Sequence, residues 1–544
     1  MKYNFCVRSL FLAIACVNPS FLLSEIPASA LQVFPPMNLI YHPVSTANPE
    51  AQKSFDTGLT YIFAFNHDLA FREFERAAQL DPNLAMAYWG MALALGQNIN
   101  EDIKPENEIR CYRYIQKALQ LSNNASSSEK AYITALATRY TDDPTADRIA
   151  LRNYYRNALK QVVQKYPEDL DLKTMYAESI LDLDPWRWWS ADGQPREGTM
   201  EAIDVLDFVL SRNPQHIGAN HYYVHAFEES PYPERALMSA RRLETLLPES
   251  GHLLHMPCHI FILVGDYESA IETDKRAIAQ DRKYIQKYGM ESGTYPLHYL
   301  SHNLYVLARA YMLMEDYPNA IKAAEELVQF VEPYLKAMPS MSTFYMVPLE
   351  INLYFNKWAE ILAYAMKTPY TPAQAYCHYC RGMAFAAQGN VAAALEEREL
   401  LIQESKRISP EIKIANNAAQ TVMDRNVYLL DAEIAKAQKN SGEEISQLKN
   451  AIALQDQFYY DEPPAWQVPA RQLLGFALLR HGEFQEAEQQ FLKTLRSMQR
   501  NGRSLFGLYL SLKGQGRAMD AYWVEREMTA ALQHASEPLE LNDM

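Results

Sequence analysis

The histidines of segment 216–302 carry the most specific chemical signal in this sequence. The chain has 544 residues and thirteen histidines, and eight of these lie in the segment: His216, His221, His225, His252, His255, His259, His298 and His302. Two H-x-x-x-H motifs, HYYVH and HMPCH, begin 34 residues apart (255 − 221). Residues four apart share one face of a helix, and imidazole binds zinc, copper, iron and nickel. The spacing therefore indicates paired ligands for a divalent transition metal on a helical scaffold.

Helical periodicity runs through the chain, with apolar residues recurring at i, i+3, i+4 and i+7. Small and aromatic residues add a longer period. In residues 51–84, counted from Ala51, they stand at places 8, 11, 20, 24, 27 and 32: Gly58, Tyr61, Ala70, Phe74, Ala77 and Pro82. This pattern resembles the tetratricopeptide repeat (TPR), a pair of antiparallel helices that must stack on its neighbours. Further copies begin near Ile217, Gly251, Ser301, Ala375 and Val468.

The fold predicted from these repeats is an all-α, right-handed solenoid of TPR type that covers most of residues 50–535. The chain also resembles a family of bacterial TPR proteins. The similar stretches are AFNHDLAFREFERAAQLDP, AMAYWGMALALGQNIN, ANHYYVHAFEESPYPERA, GHLLHMPCHIFILVGDY and YDEPPAW. This resemblance implies that the motifs are parts of one design, and it implies no activity.

The repeat frame assigns the two histidine motifs to equivalent positions. Ala236 and Ala270 are aligned as place 20 of two successive repeats. The first histidine of each motif then falls at place 5 of its repeat and the second at place 9, on one face of the first helix. In proteins resembling TPR arrays this face lines the concave groove. The predicted groove residues are His221, His225, Glu228, His252, His255, His259, His298, His302 and Asn303. Of these, His221, His225, His255 and His259 are the predicted ligands of one zinc, copper or iron ion.

The chemistry of this groove has several interpretations. Glu228 lies three residues after His225, where it is a metal ligand, an orienting partner of an imidazole, or the general base of a hydrolase. Cys258 and Met256 are expected to point elsewhere. Pro257, inside HMPCH, is expected to delay or kink the helix and so to weaken the i, i+4 geometry. A metal-free polar groove that binds a peptide or a small anion is the alternative.

No second catalytic signal accompanies the histidines. The sequence has no H-E-x-x-H motif, no nucleophile elbow, no phosphate-binding loop and no dinucleotide fingerprint. The favoured function is therefore that of an interaction scaffold, which binds a protein or peptide partner in its groove. The alternative is a metal-binding protein, or a metal-dependent hydrolase with Glu228 as its catalytic residue.

Composition and the N-terminus limit the partners and the location. The net charge is −15, and because nucleic-acid binding needs a basic surface, the acidic balance disfavours that partner. The first 30 residues contain two basic residues, the apolar run SLFLAIACV and an Ala-Ser-Ala pattern, which is typical of a signal peptide cleaved near Ala30. We expect a periplasmic or secreted protein without a later transmembrane span. A lipid anchor at Cys16 is the alternative.

The mature chain divides into an extended segment (31–50), N-terminal repeats (51–200), central His-rich repeats (201–335), C-terminal repeats (336–535) and a tail (536–544). Aromatic and proline-rich loops interrupt the repeats at 184–198, 336–349 and 459–468. They either cap exposed repeat faces or cover the groove. Cys377 and Cys380 form a C-x-x-C motif in a helical pattern, which favours buried helix positions over redox or metal chemistry.

Overall fold

Helices make up nearly all of the regular structure. The structure is a computed structural model that describes residues 40–190, 192–289, 295–464, 468–541 and 544. The predicted signal peptide, with Cys16 and the cleavage position near Ala30, lies outside the described residues. The described residues group into one unit by their mutual contacts. No helix in the described part of the chain is long and apolar enough to cross a membrane.

The first half of the described chain contains twelve α-helices. They are α1 (Pro49–Phe63), α2 (His67–Leu80), α3 (Ala85–Ala94), α4 (Pro105–Leu121), α5 (Ser127–Ala137), α6 (Arg148–Lys165), α7 (Leu170–Leu181), α8 (Thr199–Arg212), α9 (Ile217–Glu228), α10 (Leu237–Leu246), α11 (Gly251–Leu263) and α12 (Tyr267–Tyr288). Short 3₁₀ turns at Ser122–Asn124 and Pro233–Ala236 connect some of them.

The second half contains twelve more. They are α13 (Tyr295–Leu313), α14 (Tyr317–Val331), α15 (Val347–Tyr354), α16 (Trp358–Ala363), α17 (Thr371–Ala387), α18 (Val391–Arg407), α19 (Ala419–Ala437), α20 (Ser441–Gln455), α21 (Ala470–Arg480), α22 (Phe484–Ser497), α23 (Gly502–Gly514) and α24 (Ala518–Ala531). Two-residue strands, β1 (Lys413–Ile414) and β2 (Asn417–Ala418), pair antiparallel, and 3₁₀ turns span Glu332–Tyr334 and Pro339–Met346.

Glycines at the helix crossings explain the close packing of the repeats. A Cβ atom at Gly58 of α1 would lie 2.8 Å from the Phe74 ring of α2, and one at Gly90 of α3 would lie 2.4 Å from the same ring. Phe74 thus fills the space between one helix pair and the next, which only a residue without a side chain permits. Consecutive helices also make the most extensive contacts along the chain. The structure confirms the predicted all-α solenoid of TPR type.

Helix α11 runs without interruption through Pro257, contrary to the expected delay or kink. The proline has no N–H to donate to the carbonyl one turn earlier. At its start the helix is capped by the Ser250 side chain, which accepts from the Leu253 N–H at 3.3 Å. The helical face that carries the HMPCH motif is therefore intact.

The C-terminal repeats return to the central ones. Arg503, on α23, forms a buried two-point ion pair with Glu315 at 2.9 and 3.0 Å, across 188 residues of sequence. The Gln499 N–H donates to the Leu263 carbonyl at 3.3 Å, and the Ser536 N–H donates to the Glu315 carbonyl at 2.8 Å. The superhelix thus curves until repeats that are distant in sequence touch.

Candidate metal centre

The first of two histidine triads joins α9 to α11. His221 Nε2 lies 3.1 Å from His225 Nε2, one helical turn along α9, and 3.1 Å from His252 Nε2 on α11. One ligand atom of each residue lies within 4.8 Å of the others. The Phe65 ring packs against all three imidazoles, with centroid distances of 4.4 to 5.7 Å. Three ring nitrogens therefore converge on one point in an apolar setting.

The second triad repeats this arrangement one helix pair later. His255 Nε2 lies 2.6 Å from His259 Nε2 on α11 and 3.0 Å from His302 Nε2 on α13. Cys258 also approaches His255, contrary to the expectation that it points elsewhere, but its Sγ lies 3.5 Å from Nδ1, the opposite ring nitrogen. Ligand atoms of His255, Cys258 and His259 all lie within 4.8 Å of one another, but His302 is the residue whose ring nitrogen approaches the same His255 Nε2 that faces His259. We therefore define the second triad as His255, His259 and His302.

Hydrogen-bond acceptors hold the outer ring nitrogens. His221 Nδ1 lies 2.7 Å from the Phe63 carbonyl oxygen, and His255 Nδ1 lies 2.5 Å from Asp274 Oδ1. Glu228 bridges the triads, with Oε1 2.6 Å from His225 Nδ1 and Oε2 2.5 Å from His259 Nδ1. An acceptor on one ring nitrogen fixes the tautomer and leaves the other nitrogen with a lone pair, as in metal-ligating histidines.

The tautomers can be worked out for His221 and His225. A backbone carbonyl only accepts, so the His221 Nδ1 carries a proton and donates it to Phe63. The Glu228 carboxylate likewise accepts from His225 Nδ1. In their neutral forms, both imidazoles then point Nε2 lone pairs at each other across 3.1 Å with no proton between them. Such a contact is repulsive while both nitrogens are unprotonated, and either a proton on one of them or a metal ion bound by both removes the repulsion.

Burial keeps most of these imidazoles uncharged. Desolvation, together with neighbouring histidines, lowers the pKa of four of them well below the ordinary value: His221, His252, His255 and His302. Burial alone would raise the pKa of Glu228, but His225 and His259 lower it to about 2. His259 differs, because Glu228 raises its pKa against the opposing effect of burial. The centre thus combines four imidazoles that burial keeps neutral, the form that binds metal ions, with an ionised carboxylate behind them.

A cavity of about 920 Å³ adjoins the centre. His225 and His252 of the first triad and His259 and His302 of the second lie on its wall. Aromatic side chains line the rest of this end, among them Trp186, Tyr299, Tyr305 and Phe344. Because both triads reach the wall, a molecule in the cavity has access to both.

The structure separates the remaining predicted groove residues. His298 lies on the cavity wall outside both triads, whereas Asn303 is not on the wall and donates to Asp281 at 2.7 Å. Glu228 is buried and also absent from the wall. The four histidines predicted as one ligand set divide into two pairs, each with a different third histidine, because the triads form across successive helix pairs. Met256, expected to point elsewhere, lines the cavity.

Other chemically interesting residues have structural roles. His216 is the N-cap of α9: its Nδ1 accepts from the Ala219 N–H at 3.1 Å, and its Nε2 lies 3.1 Å from Asp171. Cys377 and Cys380 are buried within α17. Neither feature touches the histidine centre.

The tryptophan-rich loop at 184–198 both packs on the body and reaches the cavity. The indole N–H of Trp188 donates to the Leu181 carbonyl at 2.9 Å, and that of Trp189 donates to the Ala226 carbonyl at 2.8 Å. Trp186 contacts the His225 ring edge-on at 5.4 Å and stacks on Tyr460 at 6.3 Å. The loops at 184–190 and 459–464 therefore meet beside the first triad.

No protein-family model matches the sequence, and no curated protein matches it. Among solved structures, the human IFIT1 dimer with m7Gppp-AAAA is similar over 83% of this chain and 90% of that chain, with 12% identity and a TM-score of 0.36. Yeast Tom70 is similar over 91% and 100%, with 12% identity and a TM-score of 0.31. Cut9, in the APC/C hetero-tetramer Cut9-Hcn1, is similar over 90% and 76%, with 11% identity and a TM-score of 0.31. Similarity at this level carries no inference about function.

Proposed function

We propose that this protein is a transition-metal protein whose two histidine triads each bind one ion beside the cavity. The observation that carries the proposal is the convergence of Nε2 atoms in each triad while acceptors hold outer Nδ1 atoms. Two ions would replace the repulsion between facing lone pairs with coordination.

Copper and zinc are the ions that suit these ligands best. The convergent atoms are all imidazole nitrogens, which suit zinc, copper, iron and nickel, and copper has the highest affinity of the divalent series. Side-chain oxygens of Glu228 and Asp274 contact the outer nitrogens, so these residues are orienting groups rather than ligands. This arrangement favours the orienting role for Glu228 over that of a general base.

Three protein ligands leave a coordination position open, as in catalytic rather than structural sites. The open position of each triad would face the cavity, whose volume of about 920 Å³ is that of a small-molecule pocket. We therefore propose a metal-dependent enzyme that acts on a small molecule. The bound ions would polarise that molecule or activate water or dioxygen, according to the metal.

Elemental analysis of untagged protein, purified without chelators and then loaded with copper or zinc, tests the proposal. The wild type should hold about two ions per chain. The double variant His221→Ala/His225→Ala should lose one ion and His255→Ala/His259→Ala the other, whereas the control His481→Ala should lose none. A wild type that retains no stoichiometric copper or zinc after dialysis would refute the metal centre.

Peptide binding is the second candidate, favoured by the amide and aromatic side chains on the cavity wall. The cavity volume restricts this function to a short peptide rather than a folded partner. Binding of a peptide library to metal-free protein, with and without Trp186→Ala, separates this function from the first. Peptide binding by the metal-free protein, with no activity that requires metal, would favour this second function.

Export is proposed from the N-terminal sequence alone. Mass spectrometry of the protein from its native cells should find a mature chain that begins near Leu31. A diacylglyceryl-modified Cys16 at the N-terminus would instead establish the lipid anchor, and an intact Met1 would refute both.

A further inference from the structure

Arg425, on α19, lies on the cavity wall with only 4% of its surface exposed. Its Nε and Nη2 donate to Gln455 Oε1 at 3.2 and 2.9 Å, and Nη2 also donates to the Val468 carbonyl at 2.8 Å. Its Nη1 donates to Asn426 Oδ1 at 3.1 Å. All of these acceptors are neutral. Across the described residues, no carboxylate forms an ion pair with this guanidinium.

Two other buried arginines, Arg139 and Arg503, differ in this respect. Arg139 forms an ion pair with Asp182 at 3.0 Å, and Arg503 forms one with Glu315 at 2.9 Å. A buried charge without a counter-ion destabilises a fold, and proteins seldom retain one without a function. Desolvation lowers the pKa of Arg425, yet guanidinium stays protonated in proteins. Arg425 is therefore a fixed positive charge at the cavity.

The surroundings of Arg425 suit a monoanion with an apolar body. Tyr379, Gln472 and Phe476 lie on the same cavity wall and offer a hydroxyl, an amide and an aromatic ring. Gln455, the last residue of α20, and Val468, just before α21, hold the guanidinium in place. Asp461, on the same cavity wall, accepts from Asn416 and Asn417, and burial raises its pKa to about 8, which favours the neutral acid.

We propose that the cavity binds a small organic carboxylate whose anionic group pairs with Arg425. Gln455, Val468 and Asn426 take four of the five guanidinium hydrogens of Arg425, so one Nη1 hydrogen is left to donate to the carboxylate. This charge-assisted hydrogen bond holds the anionic group, and the rest of the molecule extends into the cavity that the histidine triads share. The role of this molecule as a substrate rests on the proposed metal function. Its binding does not, because Arg425 belongs to neither triad.

Titration calorimetry of the full chain with benzoate, benzamide and inorganic phosphate tests the proposal, on metal-free and copper-loaded protein. Benzoate should bind and benzamide, its uncharged analogue, should not. Arg425→Gln should weaken benzoate binding about ten- to hundredfold, the effect of removing a charged hydrogen-bonding partner. Arg425→Lys should retain part of the affinity, and Arg496→Gln, on the exposed face of α22, should bind as the wild type does.

Three results would overturn the carboxylate site. They are equal binding of benzoate and benzamide, unchanged benzoate binding by Arg425→Gln in a folded variant, and no benzoate binding by wild type at millimolar concentration. Phosphate binding that is tighter than benzoate binding and depends on Arg425 would replace the carboxylate with a phosphoryl ligand. Metal content measured on the same samples separates this inference from the metal centre. If benzoate binding depends on Arg425 in a protein that has no affinity for metal, the carboxylate site stands and the metal function is refuted.

Discussion

Glu228→Gln is the sharpest test of how the histidine centre is built. The carboxylate accepts from two imidazoles, His225 Nδ1 at 2.6 Å and His259 Nδ1 at 2.5 Å. A glutamine side chain has nearly the same shape but only one acceptor oxygen, and its NH₂ group donates. It can therefore accept from one histidine, while the other faces a donor.

The histidine that faces the amide nitrogen must present an unprotonated Nδ1. Its proton moves to Nε2, and the triad to which it belongs loses one of its three lone pairs. Loss of an orienting partner typically lowers metal affinity 10- to 100-fold, which corresponds to about 1.4–2.8 kcal/mol. Because one amide can satisfy one histidine, only one ion per chain should be affected. The other site should keep the wild-type affinity.

Competition against a chromophoric chelator measures both affinities in one titration of copper or zinc. The wild type should fill two sites, and Glu228→Gln should give one strong and one weakened site. Glu229→Gln is the matched control, because Glu229 accepts from the backbone N–H groups of Trp188 and Trp189 and belongs to neither triad. Two unchanged sites in Glu228→Gln, or equal losses in both variants, would refute the assignment of Glu228.

Three further predictions concern the scaffold, and each is measured by denaturant unfolding of the metal-free protein. Asp461→Asn should gain stability relative to the wild type between about pH 4 and pH 8. Burial raises the folded pKa of Asp461 to about 8, so the wild-type free energy of unfolding falls as pH rises through this window. Parallel pH profiles of the two proteins would contradict this prediction. Arg503→Leu should lower the free energy of unfolding by about 3–5 kcal/mol because it leaves Glu315 buried without its partner. Adding Glu315→Leu should recover part of that loss. Additive losses from the two substitutions would contradict the prediction. Gly90→Ala should destabilise by about 1–3 kcal/mol because its Cβ would lie 2.4 Å from the Phe74 ring, and a neutral effect would mean that Phe74 can move.

The repeat architecture was predictable because it depends on residues close in sequence. Phe74 meets glycines 16 positions before and after it (58 and 90), and this spacing is visible in the sequence as a repeat. The curvature of the whole solenoid was not predictable, because it accumulates from small rotations at each repeat. The contact between Glu315 and Arg503 therefore has no local signal.

The candidate site was likewise predictable only where it depends on residues close in sequence. The i, i+4 spacing placed His221 beside His225 on one helix face, and the structure has this arrangement. The acceptors behind the imidazoles were missed, because Phe63 contributes a backbone carbonyl from 158 residues away and Asp274 lies on the second helix of its repeat. Arg425 was also missed, because a single arginine in an amphipathic helix gives no indication of burial.

The repeat frame explains why there are two triads rather than one or three. Each triad takes the histidines at places 5 and 9 of one repeat and the histidine at place 2 of the next. His252 holds that position after Gly251, and His302 holds it after Ser301. The following repeat has Tyr305 and Arg309 at places 5 and 9, so the ligand pattern ends there. The bridging carboxylate at place 12 occurs in the first of the two repeats, and its two oxygens serve both triads. One duplicated helix face, joined by one shared carboxylate, therefore accounts for the whole centre.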